Sequence, residues 1–140
     1  IGREYLPRRV AIAAISSNDP VSHPADGPHE MVQEACEAGY CFPYLFDPTQ
    51  QVARDFDAQC TPDFFLFDKD RKLFYRGQMD SSRPGNNIPV SGKDLREALD
   101  AVLLGQPAHL ADGGAQPFEL LVEALQGVLR HRSLLSRNGR

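Results

Sequence analysis

The chain has 140 residues, of which 41% are hydrophobic and 24% are charged, and this is the size and composition of a single soluble globular domain. No stretch approaches the roughly 18 consecutive apolar residues of a membrane helix, and no leading apolar segment resembles a secretory signal. The formal net charge of −4 excludes the strongly basic footprint of a dedicated nucleic-acid binder.

The cysteine content and the basic C-terminal residues indicate the redox compartment of the protein and the classes of partner to expect. Three cysteines, Cys36, Cys41 and Cys60, cannot form a closed set of intrachain disulfides, which predicts a reducing compartment and a cytoplasmic location. Residues 130–140 carry four arginines and no acidic residue. Four charges on a frayed end indicate a solvated tail. We therefore expect neither nucleic acid nor a membrane as a partner.

The chain is predicted to begin with the end of a helix followed by a buried strand. Proline is expected to stop the first helix at Pro7. Residues 10–15 are apolar on both faces and β-branched, which favours a buried, parallel strand. Proline and glycine punctuate residues 20–28, which are predicted to form a loop.

A second helix is predicted from Pro28 to about Ala38. Proline favours the first turn of a helix, and Gly39 provides the left-handed cap that ends it. The apolar spacing predicts an inner face formed by Met31, Ala35, Cys36 and Ala38.

An aromatic segment and another helix are predicted next. Residues 40–46, which include Cys41, are predicted to form an edge strand or an extended connector. Pro43 has no backbone N–H to donate, so this segment does not fit a central strand. Residues 47–49 then start a helix that has Val52, Ala53 and Phe56 at helical spacing.

The clearest local prediction is an antiparallel hairpin. Two β-rich runs, Phe64–Phe67 and Leu73–Gly77, flank a polar turn at residues 68–72. The aromatic run in the first strand predicts core positions that are covered on both faces.

The end of the chain is predicted to be a loop, a helix, a linker and a last helix. Residues 80–89 are a loop, and Ser91 is expected to cap a helix with one apolar stripe formed by Leu95, Leu99, Val102 and Leu103. Residues 106–117 are small and polar and are predicted to link the domain of residues 1–105 to an amphipathic helix and basic tail at 118–140.

The segment Cys60-Thr61-Pro62-Asp63, directly before the hairpin, resembles the thioredoxin superfamily when it is taken with this order of elements. Five stretches, in order within residues 1–105, are similar to its peroxiredoxin-like (redoxin) branch: VAIAAISSND, FPYLFD, CTPDFFLFD, KLFYRGQ and SRPGNNIP. The resemblance implies a three-layer α/β fold with a mixed sheet, and thiol–disulfide exchange or peroxide reduction without a cofactor. It also implies a cis peptide bond before Pro62, facing redox cysteines.

The resemblance further implies an apolar strand and a Cys-x-x-Cys turn ahead of the first helix, where the helix dipole lowers the pKa of the thiol. The 140 residues contain neither that pair nor a Pro-x-x-x-Thr-x-x-Cys peroxidase loop. We therefore expect a thioredoxin-like domain truncated at its N-terminus and inactive alone. Three explanations stay open: a fragment of a longer protein, a misassigned start, or a C-terminal extension that folds to compensate.

The candidate site lies where the predicted strands end. Cys60 is the candidate catalytic residue, as a resolving or redox-sensitive thiol, and its alternative role is that of a small buried hydrophobe. Thr61 and Pro62 offer backbone groups to an extended substrate, or they only shape the strand. Asn18 is expected in a neighbouring loop.

Arg83 completes the candidate site. Its guanidinium could hold a substrate carboxylate or favour a nearby thiolate. Alternatively it forms an ion pair with Asp19, Asp63 or Asp80.

No metal site is predicted. His23 and His29 lie six residues apart in a loop, with Cys36 beyond them, and this spacing fits no common zinc pattern.

Two functional hypotheses follow, from different classes. The first is a thiol oxidoreductase with a protein disulfide or a peroxide as substrate. The second is a non-catalytic binding module that uses the groove at Pro62 for a peptide or a small acidic ligand. Self-association through an exposed strand edge or the last helix is a further expectation.

Overall fold

The computed structural model describes residues 1–107, which belong to two compact units, Ile1–Thr61 and a second unit that begins at Pro62. The architecture is mixed α/β. Within the described residues, the first unit contains a two-stranded parallel sheet and the second a two-stranded antiparallel sheet.

The first unit consists of short elements that follow one another closely. In chain order they are α1 (Gly2–Tyr5), a 3-10 turn (Leu6–Arg8), β1 (Ala14–Ser16), a 3-10 turn (Pro24–Asp26), α2 (Pro28–Glu37), β2 (Tyr44–Phe46) and α3 (Gln51–Asp55). Helix α1 ends at Tyr5, just before Pro7 as predicted, and Pro7 lies inside the 3-10 turn that follows. Proline is tolerated there because the first residues of a helical turn need no N–H donor.

Strand β1 is shorter than residues 10–15 and is shifted toward the C-terminus. Arg9 adopts a left-handed conformation with φ of 66°, and the Val10 N–H donates to the carbonyl of Tyr5 at 3.3 Å. The start of the apolar run is therefore held by the preceding turn. Pairing begins where the Ala14 N–H donates to the carbonyl of Pro43 at 2.9 Å, and β2 accordingly starts just after that proline.

Helix α2 has the predicted start and Gly39 follows it at φ of 62°, but its inner face is narrower than expected. Met31 is buried and Ala35 is half-buried, whereas Cys36 and Ala38 are exposed. The prediction that Cys36 faces the core was wrong. A residue five positions beyond Met31 lies about 140° around the helix from it, outside the buried stripe.

Within residues 62–107, the second unit contains a hairpin and a helix: β3 (Phe64–Phe67), β4 (Leu73–Gly77) and α4 (Lys93–Leu103). Both strands have the predicted bounds, with Phe65 opposite Arg76 and a register shift between Leu66 and Phe67. The Asp68 carboxylate closes the turn by accepting the N–H groups of Asp70 and Lys72 at 2.8 and 2.9 Å. The hairpin prediction is confirmed.

The core of the second unit is formed between the hairpin and α4. Its buried apolar residues are Leu66, Phe74, Ala98 and Leu99. The three phenylalanines of β3 are only half-buried, so the expectation of full cover on both faces was wrong. A two-stranded sheet offers fewer neighbouring side chains than the wider sheet that was expected.

Helix α4 differs from its prediction at both ends. The N-cap residue is Gly92, with φ of 65°, rather than Ser91, whose hydroxyl accepts the N–H of Lys93 at 3.2 Å. At the other end Leu103 is 40% exposed and does not continue the buried stripe. Of the predicted linker at 106–117, only residues 106 and 107 are described, and the predicted helix and tail at 118–140 lie outside the described residues.

The helices of residues 1–107 are short or polar compared with a membrane-spanning helix. None of them combines the length and the apolar character that a bilayer crossing requires.

Candidate functional site

Two of the predicted site segments meet within the first unit. The hydroxyl of Thr61 donates a hydrogen bond to the side-chain carbonyl of Asn18 at 3.4 Å. The amide nitrogen of Asn18 in turn donates to the carboxylate of Asp26 at 2.9 Å. The loop after β1 and the Cys60–Thr61 segment are therefore neighbours, although they are 43 residues apart in sequence.

Cys60 lies beside this contact with its residue exposed and its sulfur outside any disulfide. The alternative role as a small buried hydrophobe does not fit this exposure. Thr61 is also exposed. An accessible thiol next to a polar contact is compatible with thiol chemistry, because redox-active cysteines need solvent access. Its role as a resolving or redox-sensitive thiol stays a prediction.

The loop that carries Asn18 is fixed from the other side by Asp47. This buried carboxylate accepts the hydroxyl of Ser17 at 2.9 Å and the N–H groups of Val52 and Ala53 at 2.9 and 3.3 Å. Burial alone would raise the pKa of Asp47, but these hydrogen bonds outweigh it and the pKa is lowered. Asp47 thus joins the end of β1 to the start of α3.

Pro62 begins the second unit and is exposed, and Asp63 follows it with a side chain that is only 9% exposed. The Asp63 carboxylate pairs with the Arg76 guanidinium at 3.2 Å, and that guanidinium lies 5.1 Å from the centre of the Phe65 ring. Asp63 was one of three alternative ion-pair partners considered for Arg83, and the structure pairs it with Arg76. Arg76 lies nearer because the hairpin register places it opposite Phe65.

Arg83 is held by neutral acceptors. Its Nη1 donates to the backbone carbonyls of Asp80 and Ser82 at 2.7 and 2.6 Å, and its Nη2 donates to Oε1 of Gln78. Asp80 therefore contacts Arg83 through its carbonyl and not through its carboxylate, so the predicted ion pair with Asp80 was wrong. The predicted alternative, a guanidinium that serves a substrate, stays a prediction, as does the clustering of this loop with Cys60.

The Asp80 carboxylate is occupied elsewhere. It accepts the N–H groups of Ser82, Ser91 and Gly92 at 2.8, 2.6 and 2.5 Å. The bond from Gly92 contributes most to a lowered pKa at Asp80. The loop at residues 80–92 is thereby closed onto the start of α4.

Two residues of this loop system were missed from the sequence, Gln78 and Asp94, and Asp80 was considered only as an ion-pair partner of Arg83. The amide nitrogen of Gln78 donates to the carboxylate of Asp94 at 2.5 Å, and this orients its oxygen toward Arg83. No local pattern signals a contact between residues 16 positions apart. The acidic residue in the first turn of α4 was visible, but only as a favourable partner for the helix dipole.

Metal-ligating residues do not gather in the described part of the chain. Residues 1–107 contain no group of three or more His, Cys, Asp or Glu side chains that could hold a metal ion. The ring of His23 instead lies 3.0 Å from the hydroxyl of Ser22, and His29 lies 3.5 Å from the carboxylate of Glu30.

The chain is similar to two solved structures. One is an uncharacterized conserved protein from Geobacillus kaustophilus, with 53% sequence identity and a TM-score of 0.73, over 77% of this chain and 57% of that one. The other is a hypothetical protein from Sinorhizobium meliloti, with 46% identity and a TM-score of 0.73, over 76% of this chain and 58% of that one. The chain thus spans less than two thirds of the length of either. No family model and no curated protein matches it.

Proposed function

We propose that this chain is the larger part of a thioredoxin-like, peroxiredoxin-like thiol oxidoreductase whose redox cysteine pair lies outside these 140 residues. The observation that carries the proposal is the contact between Thr61 and Asn18, which brings the Cys-Thr-Pro segment to the loop after β1. In the family that the sequence resembles, these two segments border the redox cysteines.

The strand pairing supports the same proposal. Within the described residues β1 is bonded to β2 and β3 to β4, with no ladder between β1 and β3. A thioredoxin-like sheet has one more strand at that position, followed by the Cys-x-x-Cys turn. The two similar structures are longer than the part that this chain matches, which leaves room in them for such a strand.

The proposed chemistry needs two thiols for each turnover. Two cysteine thiols give up two electrons and two protons and form one disulfide, while a substrate disulfide becomes two thiols or a peroxide becomes an alcohol and water. Cys60 has one exposed sulfur and cannot complete that cycle alone. It would act by attacking a mixed disulfide or a sulfenic acid formed on the missing pair.

The test compares two proteins, the 140-residue chain and the same chain extended by its natural upstream coding sequence. Reduction of insulin disulfides and consumption of hydrogen peroxide are measured for both, with a thiol reductant supplied. We expect turnover by the extended protein and none by the 140 residues. The proposal fails if the extended protein is inactive in both assays, or if the 140-residue chain turns over and retains that activity after Cys60→Ser.

Cys36→Ser and Cys41→Ser serve as matched controls in the extended protein, because both thiols are exposed but neither belongs to the Cys60–Thr61 segment. We expect these two substitutions to leave the rate unchanged, while Cys60→Ser slows it if this thiol resolves the intermediate.

A second candidate function is a non-catalytic binding module. The observation that favours it is the Arg83 loop, in which Asn86 accepts the N–H groups of Arg83 and Ile88 at 3.1 Å each and donates to the carbonyl of Ser81 at 2.8 Å. A loop fixed this way presents a charged side chain without paying ordering entropy on binding. An upstream start codon immediately before Ile1 would favour this module over the enzyme.

A further inference from the structure

A relay of side chains runs from Asp94 through Gln78 to Arg83. The carboxylate of Asp94 accepts one N–H of the Gln78 amide at 2.5 Å, and the oxygen of the same amide accepts from the guanidinium. A carboxylate can only accept hydrogen bonds, so it fixes which end of the amide faces it. The amide oxygen is therefore presented to Arg83, and the opposite orientation would place two donors against each other.

The backbone on both sides of Gln78 is fixed as well. The hydroxyl of Tyr75 donates to the carbonyl of Gln78 at 2.6 Å, and the N–H of Leu95 donates to the carbonyl of Met79 at 3.2 Å. Gln78 is half-buried, whereas Arg83 is exposed. Arg83 is thus an exposed residue whose guanidinium is held against its own loop and a fixed Gln78.

The guanidinium keeps unused binding capacity. Of its five N–H donors, three are taken by the carbonyls of Asp80 and Ser82 and by Gln78. Nε–H and the second Nη2–H find no acceptor within residues 1–107. Because all three acceptors are uncharged, no carboxylate of residues 1–107 neutralises the guanidinium directly.

We propose that Arg83 is a recognition site for a single carboxylate group and that Gln78, oriented by Asp94, is its positioning residue. Two parallel donors on a planar guanidinium match the two oxygens of a planar carboxylate. The proposal deepens the function above by naming the substrate class, a peptide or small molecule with a carboxylate, and its placement at a redox site rests on that function.

The charges around the site favour a monoanion over phosphate. Asp80 and Asp94 carry two negative charges close to the guanidinium, one bonded to backbone N–H groups and the other to Gln78. A dianion would be repelled by both carboxylates more strongly than a monoanion would. The same geometry therefore predicts that the site binds a carboxylate and that it prefers a carboxylate to phosphate.

The experiment titrates the isotope-labelled 140-residue chain with sodium acetate, at ionic strength held constant with sodium chloride, and follows the Nε–H resonance of Arg83 by NMR. We expect a saturable shift. Gln78→Leu should weaken acetate binding by about tenfold because it removes the acceptor of Nη2 and leaves the guanidinium held only through Nη1. Sodium phosphate at the same ionic strength should bind no more tightly than acetate.

Three further variants keep the test decisive. Arg71→Gln removes an arginine from the exposed hairpin turn and should leave acetate binding unchanged, whereas Arg83→Gln should abolish it. Gln78→Glu removes the N–H that Asp94 accepts and places a competing carboxylate beside Arg83, so it should also abolish acetate binding. Dispersion of the backbone amide resonances verifies that each variant is folded.

Three results would overturn the proposal: no saturation by the native chain, native affinity in the Gln78→Leu variant, or tighter binding of phosphate than of acetate. None of these measurements involves thiol chemistry. If the insulin and peroxide assays fail while acetate binds as expected, only the proposed oxidoreductase function falls.

Discussion

The carboxylate of Asp80 accepts the backbone N–H of Gly92 at 2.5 Å and so fixes the first residue before α4 to the end of the hairpin. Gly92 holds a left-handed conformation with φ of 65° there. The same carboxylate takes the N–H groups of Ser82 and Ser91, so a single side chain closes the whole loop between β4 and α4.

Asp80 should make stability depend on acidic pH. Its pKa is lowered from 3.8, mainly by the hydrogen bond from Gly92, so its contribution is complete above pH 3.8 and is lost as the pH falls through the lowered value. We expect Asp80→Asn to reduce the urea midpoint at neutral pH and to flatten the loss of stability on acidification. Urea unfolding followed by circular dichroism across that pH range measures both effects.

Asp70→Asn is the matched control for Asp80, since Asp70 is an exposed aspartate in the hairpin turn of the same unit. An equal fall of the midpoint in both variants would contradict the role given to Asp80.

Removing the Asp47 carboxylate should release α3 from the loop that carries Asn18. The carboxylate accepts N–H groups at the start of α3 and the hydroxyl of Ser17, so Asp47→Ala should lower the free energy of unfolding by about 1 to 2 kcal/mol, as for other helix-capping residues. Asp55→Ala, an exposed aspartate at the end of α3, should have a much smaller effect. Equal losses in the two variants would show that Asp47 acts only through its charge.

Breaking the pair between Arg76 and Asp63 should destabilise the hairpin. Asp63 is 9% exposed, so Arg76→Met leaves a mostly buried carboxylate with a lost charged partner, at a cost of about 1.5 to 3 kcal/mol. The exposed pair of Lys93 and Glu97 is the comparison, where Lys93→Met should cost less than about 0.5 kcal/mol. Thermal and urea unfolding of both variants measure the two losses in the free energy of unfolding. Equal losses would mean that the pair of Arg76 and Asp63 is no stronger than a surface pair.

Tyr40 should resist ionisation. Its hydroxyl donates to the carboxylate of Glu34 at 2.7 Å, and this hydrogen bond, with burial and the charge of Glu34, raises the pKa of Tyr40 to about 12. The neutral tyrosine therefore stabilises the fold fully below pH 10, and this contribution is lost as the pH rises toward about 12.

An ultraviolet titration of the native chain and of Glu34→Gln measures this shift. We expect Tyr40 and Tyr44 both to ionise at lower pH in the variant, because the Glu34 carboxylate also accepts the hydroxyl of Tyr44 at 3.4 Å and, after burial, contributes to the raised pKa of that tyrosine. Identical titration curves would contradict the assignment.

Local signals explain which elements were predictable. The hairpin needed only runs rich in aromatic residues and leucine on either side of a polar turn, and Phe64–Phe67 and Leu73–Gly77 have the predicted bounds. The shortened β1 was not predictable from its own composition, because the left-handed Arg9 and the position of Pro43 decide where pairing starts.

The contacts of the candidate site also divide into those that the sequence could predict and those that it could not. The contact between Thr61 and Asn18 agrees with the expectation that the loop after β1 lies beside the Cys60–Thr61 segment, although β1 and β3 are not paired in one sheet within residues 1–107. The surroundings of Arg83 could not be predicted, because its orientation depends on an amide whose own orientation is set by a carboxylate 16 residues away. Such contacts leave no periodic trace in the sequence.

All three cysteines precede residue 62, at the end of α2, just after it and at the end of the first unit. Maleimide dyes or spin labels will therefore attach only to the Ile1–Thr61 unit, while the hairpin and α4 stay unmodified. A single engineered cysteine in α4, placed in a background that keeps Cys60 and has Cys36 and Cys41 replaced by serine, would give a second reporter for measuring the separation of the two units by fluorescence or electron spin resonance.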